Sequence, residues 1–212
     1  MLNCIEDNEA RITGVCDSYL TYSHEVHGEC FYHFKIKAQR LSDNEDIITV
    51  TVSERLLTKI QIEPGKSVSV SGQFRSYNNY TDSGIKLVLT LFAKEICEAQ
   101  DGAEAENEVY LNGYICKPVV YRVTPFGREI ADVLLAVNRA YNKSDYIPCI
   151  AWGRNARFAK NLVVGQNVKL WGRMQSREYQ KKLSETETVT KTAYEVSVSK
   201  LDAIKPEYEK EL

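Results

Sequence analysis

Histidine is scarce in this chain, and its absence after residue 33 limits the catalytic chemistry available to the rest of the chain. His24, His27 and His33 are the only three, and none follows them. The sequence has no G-x-S-x-G segment and no phosphate-binding P-loop, and the carboxylates of the second half are dispersed rather than paired. We therefore expect a protein that acts by binding, not an enzyme.

The chain also lacks long apolar runs. No stretch approaches the roughly 20 apolar residues that a membrane-spanning helix needs. The first residues offer neither a basic region nor the apolar core of a signal peptide. The expected location is therefore the cytoplasm.

Paired cysteines are absent too. The six cysteines include no C-x-x-C pair, which argues against a zinc ribbon and against a disulfide framework. We expect reduced, mostly buried thiols. His24, His27 and Glu29 form an H-x-x-H-x-E cluster, but it lies in a polar loop and no cysteine pair supports it. We predict no metal and no cofactor.

What the sequence does contain is a repeat. Asn8 and Gly14 recur as Asn107 and Gly113, an offset of 99 (107 − 8). Four further positions recur at an offset of 100 (165 − 65): Gly65, Val68, Gly72 and Ser76 return as Gly165, Val168, Gly172 and Ser176. A fixed spacing of this length indicates a duplicated domain.

Each copy contains five runs rich in β-branched and aromatic residues, several of which alternate apolar with polar. A short helical stretch follows the third run, and a glycine closes it. The predicted strands are 10–15, 31–38, 47–53, 67–74 and 85–92, then 109–115, 130–137, 146–152, 168–175 and 194–201; the helical stretches are 54–62 and 154–164. This pattern predicts an all-β protein with two tandem five-stranded OB-fold barrels, each with one short helix between strands three and four.

We predict an acidic barrel over 1–97, a linker over 98–106, a basic barrel over 107–205 and a short acidic tail over 206–212. Residues 1–106 carry 10 Lys+Arg and 17 Asp+Glu, net −7, whereas 107–205 carry 16 and 9, net +7. The polar stretch 181–191 is expected to form a long hairpin tip in the second barrel. The overall charge of −2 therefore hides one basic module.

Binding of nucleic acid without regard to sequence needs cations for the phosphates and flat rings on which bases stack. The second half supplies both. Its candidate stacking residues are Tyr141, Tyr146, Trp152 and Tyr179, and its candidate phosphate ligands are Arg122, Arg128, Arg139, Arg154, Arg173 and Arg177.

Four segments of this half follow a known pattern in order and spacing: 124–127 (TPFG), 135–141 (LAVNRAY), 146–152 (YIPCIAW) and 172–179 (GRMQSREY). They resemble the bacterial single-stranded-DNA-binding protein family over essentially all of 107–204. The resemblance implies a barrel that wraps single-stranded DNA, with stacking rings at the four aromatic positions named above.

The resemblance also implies a role in DNA replication, recombination or repair, and a location at the nucleoid. Family members usually assemble as four barrels, so two barrels in one chain imply a homodimer. Replication or repair proteins are possible partners, although residues 205–212 do not resemble the long Gly/Pro/Gln-rich tail with an acidic tip typical of the family.

The first half provides an internal comparison. Carrying the four stacking positions back by the repeat offset leads to Ser42, Ile47, Ser53 and Asn79, none of which is aromatic. Tyr77 and Tyr80 could substitute in part. We therefore expect the first barrel to be mainly structural or protein-binding.

Two other functions remain open from the sequence. One is a protein-interaction adaptor, in which both barrels serve as docking modules. The other is binding of single-stranded RNA, because stacking alone does not distinguish ribose from deoxyribose. The sequence also leaves open whether Trp171 fills the core or stacks on a ligand.

Overall fold

The computed structural model describes residues 7–40, 44–81, 84–100, 103–182 and 188–204. Within these ranges the side chains of 80, 81, 84–86, 178, 179, 181, 182, 190 and 191 are not described. The first half contains β1 (Asn8–Cys16), β2 (Thr21–Val26), β3 (Glu29–Gln39), β4 (Glu45–Ser53), α1 (Glu54–Leu57), β5 (Ser67–Thr81) and β6 (Gly84–Glu98).

The second half repeats this order. It contains β7 (Glu106–Ile115), β8 (Val120–Val123), β9 (Glu129–Arg139), β10 (Lys143–Trp152), α2 (Arg154–Ala159), β11 (Asn167–Lys182) and β12 (Thr188–Ala203). Neither helix is long enough to cross a membrane in the part of the chain that the structure describes.

Alternation of apolar and polar residues turns each strand so that one face enters a core. In β3, Phe34, Ile36 and Ala38 are buried, while Lys35 between them is exposed. Because side chains alternate across a strand, this pattern buries one face of the sheet and leaves the other on the surface.

Both halves close into a barrel in the same way. In the first, β1 pairs antiparallel with β5 along most of its length and then crosses to β3 at Val15 and Cys16. The parallel pairing of β4 with β6 completes the ring. In the second half β7 pairs with β11 and β9, and β10 pairs in parallel with β12. The predicted OB-fold and all-β class are confirmed.

Two pairs of repeated glycines lie where these barrels bend. A Cβ atom at Gly14 or Gly113 would collide with a carbonyl oxygen of the strand that β1 or β7 meets at its crossing. Gly72 and Gly172 lie where the ladders to β6 and β12 shift register, and a Cβ atom there would meet a backbone oxygen. The repeat therefore preserves the points of closest backbone approach.

The two barrels share one continuous sheet of 12 strands, because β1 pairs antiparallel with β7. Ala10 lies opposite Val109, its own counterpart at the repeat offset of 99. The halves are thus related by a local two-fold axis through this pair. The repeat by itself does not predict that β1 and β7 join the barrels.

Two details differ from the predictions. The helices are shorter than expected: α1 ends at Leu57 and α2 at Ala159, whereas we expected them to continue to 62 and 164. Each half has a short sixth strand, β2 or β8, which forms a hairpin with the next strand. The β11–β12 hairpin forms as expected, with its tip, 183–187, outside the described residues.

Gly113→Ala should destabilise the fold by about 1–3 kcal/mol, because the new methyl group has no space against the backbone of β9. Lys117→Ala, on an exposed residue just after the same strand, is the control and should have little effect. Urea unfolding of both variants measures the difference. Equal stability of the two variants would show that the crossing tolerates a side chain.

Candidate nucleic-acid interface

Strand β10 carries two of the predicted stacking residues on its outer face. Ile147 and Ala151 point into the core and are fully buried, whereas Tyr146 is 48% and Trp152 39% exposed. The two rings lie six residues apart, on the order of 20 Å along the strand. Both side chains therefore lie on the same outer face of β10.

Tyr141 lies in the turn between β9 and β10, with its side chain 94% exposed. Its backbone φ is +63°, and that of Asn142 is +53°. A left-handed backbone is unfavourable for a bulky residue by roughly 1–2 kcal/mol. The turn therefore holds an aromatic ring in solvent at a cost in stability, which is a pattern found at functional positions.

Tyr179 belongs to β11, where its backbone lies opposite Lys191. Its side chain lies outside the described residues. Its role as a stacking residue stays a prediction.

Three predicted phosphate ligands lie near the Trp152 end of β10. Arg154 begins α2, and Arg128 immediately precedes β9; both are exposed. The Gly153 N–H donates to the Glu129 carbonyl oxygen at 2.9 Å, which brings these two segments together. Arg122 on β8 donates to both carboxylate oxygens of Asp132 at 2.9–3.2 Å, so its charge is partly neutralised.

Arg139 and Arg173 have a different environment. The Arg139 Nη1 lies 3.4 Å from a carboxylate oxygen of Asp145, and the Arg173 Nη1 lies 3.5 Å from one of Asp46. Both carboxylates are almost completely buried, at 2% and 0% exposure. These guanidinium groups offset buried negative charge where the two barrels meet, in addition to any contact with a ligand.

Arg177 lies farther along β11, with its Nε 3.5 Å from a carboxylate oxygen of Glu195 and its side chain half-exposed. It follows Ser176, whose Oγ accepts a hydrogen bond from the Ile47 N–H of the first barrel at 3.1 Å. The basic hairpin therefore extends onto the acidic half, and the predicted site residues are not confined to one barrel.

Phe126 was not among the predicted site residues. It lies at the tip of the β8–β9 hairpin and is 92% exposed. The Gly127 N–H donates to the Thr124 carbonyl oxygen at 2.8 Å, which closes the turn around it. The sequence contained a signal for this residue: an aromatic side chain inside a T-P-F-G turn is expected to be exposed, because such turns lie at the surface.

The first half also has aromatic side chains on the outer face of its barrel, but they lie on strands next to β4, the counterpart of β10. Phe31 lies opposite Ser53, as Ile130 lies opposite Trp152 in the second half. The ring of His24 stacks on Phe31 at 5.0 Å, so that ring is covered by the chain's own imidazole. The Arg75 guanidinium similarly lies 4.0 Å above the ring of Phe92. Comparison of equivalent positions alone could not reveal this cluster.

Trp171 is partly buried on the outer side of the sheet near the β1–β7 junction. Its ring lies 5.2 Å from that of Tyr110, and the Lys200 ammonium lies 4.3 Å above it. Together with Tyr110 it lines an open depression of about 640 Å³. Trp171 is therefore neither a core residue nor adjacent to Trp152.

The five cysteines in the described ranges are free thiols. Burial raises the pKa of Cys16 to about 11 and that of Cys149 still further. Cys16 and Cys149 are buried, Cys30 and Cys116 are partly buried and Cys97 is exposed, so these thiols are less buried than expected. Among the described residues, no three His, Cys, Asp or Glu side chains are grouped closely enough to hold a metal ion.

Comparison with known proteins identifies relatives of the second half and of the whole fold. The model of the single-strand binding protein family matches residues 106–203. Single-stranded DNA-binding protein A of Bacillus subtilis is 33% identical over 96 residues, which are 42% of this chain and 56% of that protein. Single-stranded DNA-binding protein 1 of Streptococcus pyogenes serotype M18 is 32% identical over 96 residues, with 42% of this chain and 74% of that protein covered.

Among solved structures, the wild-type single-stranded DNA binding protein from Thermus aquaticus superposes with a TM-score of 0.75, 18% identity and 93% coverage of both chains. A deletion variant of the same protein gives 0.77, again at 18% identity, with 97% of this chain and 98% of that chain covered. At this identity the likeness shows the fold alone.

The chain spans about half the length of the first curated relatives that it matches, 56% in Bacillus subtilis and 48% in Staphylococcus aureus. The chain covers 74% of the length of the Streptococcus pyogenes relative. With the family model matching β7 through β12, the chain belongs to the single-strand binding protein family.

Proposed function

We propose that this chain binds single-stranded DNA without sequence preference, by stacking bases on exposed rings and neutralising phosphates with arginine. The observation that carries the proposal is the outer face of β10, where Tyr146 and Trp152 are both open to solvent. Tyr141 extends this row beyond one end of the strand. Aromatic platforms beside cationic side chains are what such binding needs.

The arginines divide into two groups in this proposal. Arg128 and Arg154 are exposed near Trp152 and are the first candidates to contact phosphate, followed by Arg122 and Arg177, which already face carboxylates. Arg139 and Arg173 are assigned mainly to the buried aspartates between the barrels. We include Phe126 as an additional stacking residue because of its exposure at the hairpin tip.

We infer the biological setting from the family. Protection and organisation of single-stranded DNA would serve replication, recombination or repair, at the nucleoid, and replication or repair proteins would be the partners. The first barrel contributes less to stacking in this proposal, since Phe31 and Phe92 are covered by His24 and Arg75.

We further propose that two chains associate, which gives the four barrels usual in the family. Tyr110 and Trp171 offer paired rings on the outer side of the shared sheet for this contact. Light scattering should give twice the chain mass of 24.2 kDa. Trp171→Glu should shift it toward the single-chain mass, and a single-chain mass for the unmodified protein would contradict the assembly.

Trp152→Ala should weaken binding to oligo(dT) by roughly 1–3 kcal/mol, the worth of one stacked base. Ser53→Ala at the equivalent place in the first half should leave the affinity nearly unchanged. Fluorescence anisotropy of a labelled oligo(dT) measures both, and competition with matched oligo(rU) distinguishes DNA from RNA as the preferred ligand. Equal losses from the two substitutions would contradict the unequal roles of the barrels.

Tyr141→Gly should separate stability from binding. Glycine accepts a φ of +63° without strain, so the free energy of unfolding should stay level or rise by up to about 1 kcal/mol. Loss of the ring should lower oligo(dT) affinity by about 1–3 kcal/mol. Tyr141→Ala is the control, since it removes the ring but keeps the strained backbone. If Tyr141→Gly bound as tightly as the unmodified protein, Tyr141 would not be a stacking residue.

A further inference from the structure

The acidic barrel contacts the backbone of a proposed stacking residue in the basic barrel. The Tyr146 N–H donates to the Ser76 Oγ at 2.7 Å, and the Ser76 N–H donates to a carboxylate oxygen of Asp145 at 2.9 Å. Ser76 belongs to β5 of the first half, whereas Asp145 and Tyr146 are consecutive residues of β10. One serine is thus bonded to two adjacent residues of the other barrel.

This contact replaces a missing strand neighbour. β10 pairs with β9 along its whole length, but with β12 only at Cys149 and Ile150. The Tyr146 N–H points away from β9, beyond the short stretch that β12 covers, and Ser76 supplies its acceptor. An unpaired backbone N–H at a strand end leaves that end free to fray.

The surrounding charges hold Ser76 in place. Asp145 is 2% exposed and faces the Arg139 guanidinium at 3.4 Å. Arg75, the residue before Ser76, also lies close: its pKa is lowered by burial and by the charge of Arg139, and the charge of Asp145 opposes that shift. A buried carboxylate of this kind requires its partners, so β5 is fixed against β10 at this point.

The other half contains the same arrangement without a stacking ring. The Ser176 N–H donates to Asp46 at 2.8 Å, and the Ile47 N–H donates to the Ser176 Oγ at 3.1 Å. Arg40 pairs with Asp46 as Arg139 pairs with Asp145. Ile47 occupies the position of Tyr146. The duplication thus provides an internal control for the serine contact.

We propose that Ser76 is a positioning residue for DNA binding: through its hydroxyl the acidic barrel holds the start of β10, so that the Tyr146 ring is already oriented when a base arrives. This inference rests on the proposed stacking role of Tyr146. A ring that is fixed before binding loses less conformational freedom on binding, which raises affinity without any new contact to DNA.

Ser76→Ala removes the acceptor of the Tyr146 N–H and keeps the backbone N–H that donates to Asp145. Affinity for oligo(dT) should fall about two- to tenfold, the effect of one lost hydrogen bond. Ser176→Ala is the matched control: it should lower the melting temperature by a similar amount and leave the affinity unchanged. Ser76→Thr, which keeps the hydroxyl, should bind oligo(dT) as tightly as the unmodified protein.

Tyr146→Ala completes the experiment as a double-mutant cycle. If Ser76 acts through the ring, Ser76→Ala should cause no further loss of affinity in the Tyr146→Ala background. An unchanged affinity for Tyr146→Ala alone would contradict the stacking role itself. Weaker binding by Tyr146→Ala, together with equal affinities for Ser76→Ala and Ser176→Ala, would overturn the positioning role and leave the stacking site intact.

Discussion

Backbone pairing between β1 and β7 is the constraint on which the rest of the structure depends. Because Ala10 lies opposite its own counterpart Val109, the two barrels face each other across a local two-fold axis. That axis directs the long hairpin of each barrel onto the other, where Ser76 reaches Asp145 and Ser176 reaches Asp46. The contacts between the halves follow from one strand register.

The repeat and the residue alternation were sufficient to predict the barrels, because each strand buries one side of a period-two pattern. They could not predict how the barrels join. The backbone of a residue such as Ala10 can form hydrogen bonds either to β7 or to water, and its side chain does not indicate which of these partners it has. The predicted length of the second helix was too great. Leu162 is buried, as a helical pattern requires, but it lies in the irregular chain after α2.

The candidate site was predictable where the side chain itself carries the chemistry. Trp152 and Tyr146 were found from their type and from the family pattern, and both are open to solvent. The pairing of Arg139 with Asp145 could not be predicted from the sequence, because it depends on Asp145 being buried at an interface between barrels. A buried aspartate and an exposed one look the same in a sequence, although their electrostatic demands on a nearby arginine differ greatly.

The opposite charges of the two halves suggest that the acidic barrel is structural and that the basic barrel alone binds DNA. The hairpin contacts change that view, since Arg173 offsets the charge of Asp46 on the acidic barrel. The excess acid in one half and the excess base in the other favour the association of the two barrels, and the excess base also favours the proposed binding of DNA. In the proposed function, the acidic barrel therefore contributes to DNA binding by holding the start of the strand that carries Tyr146 and Trp152.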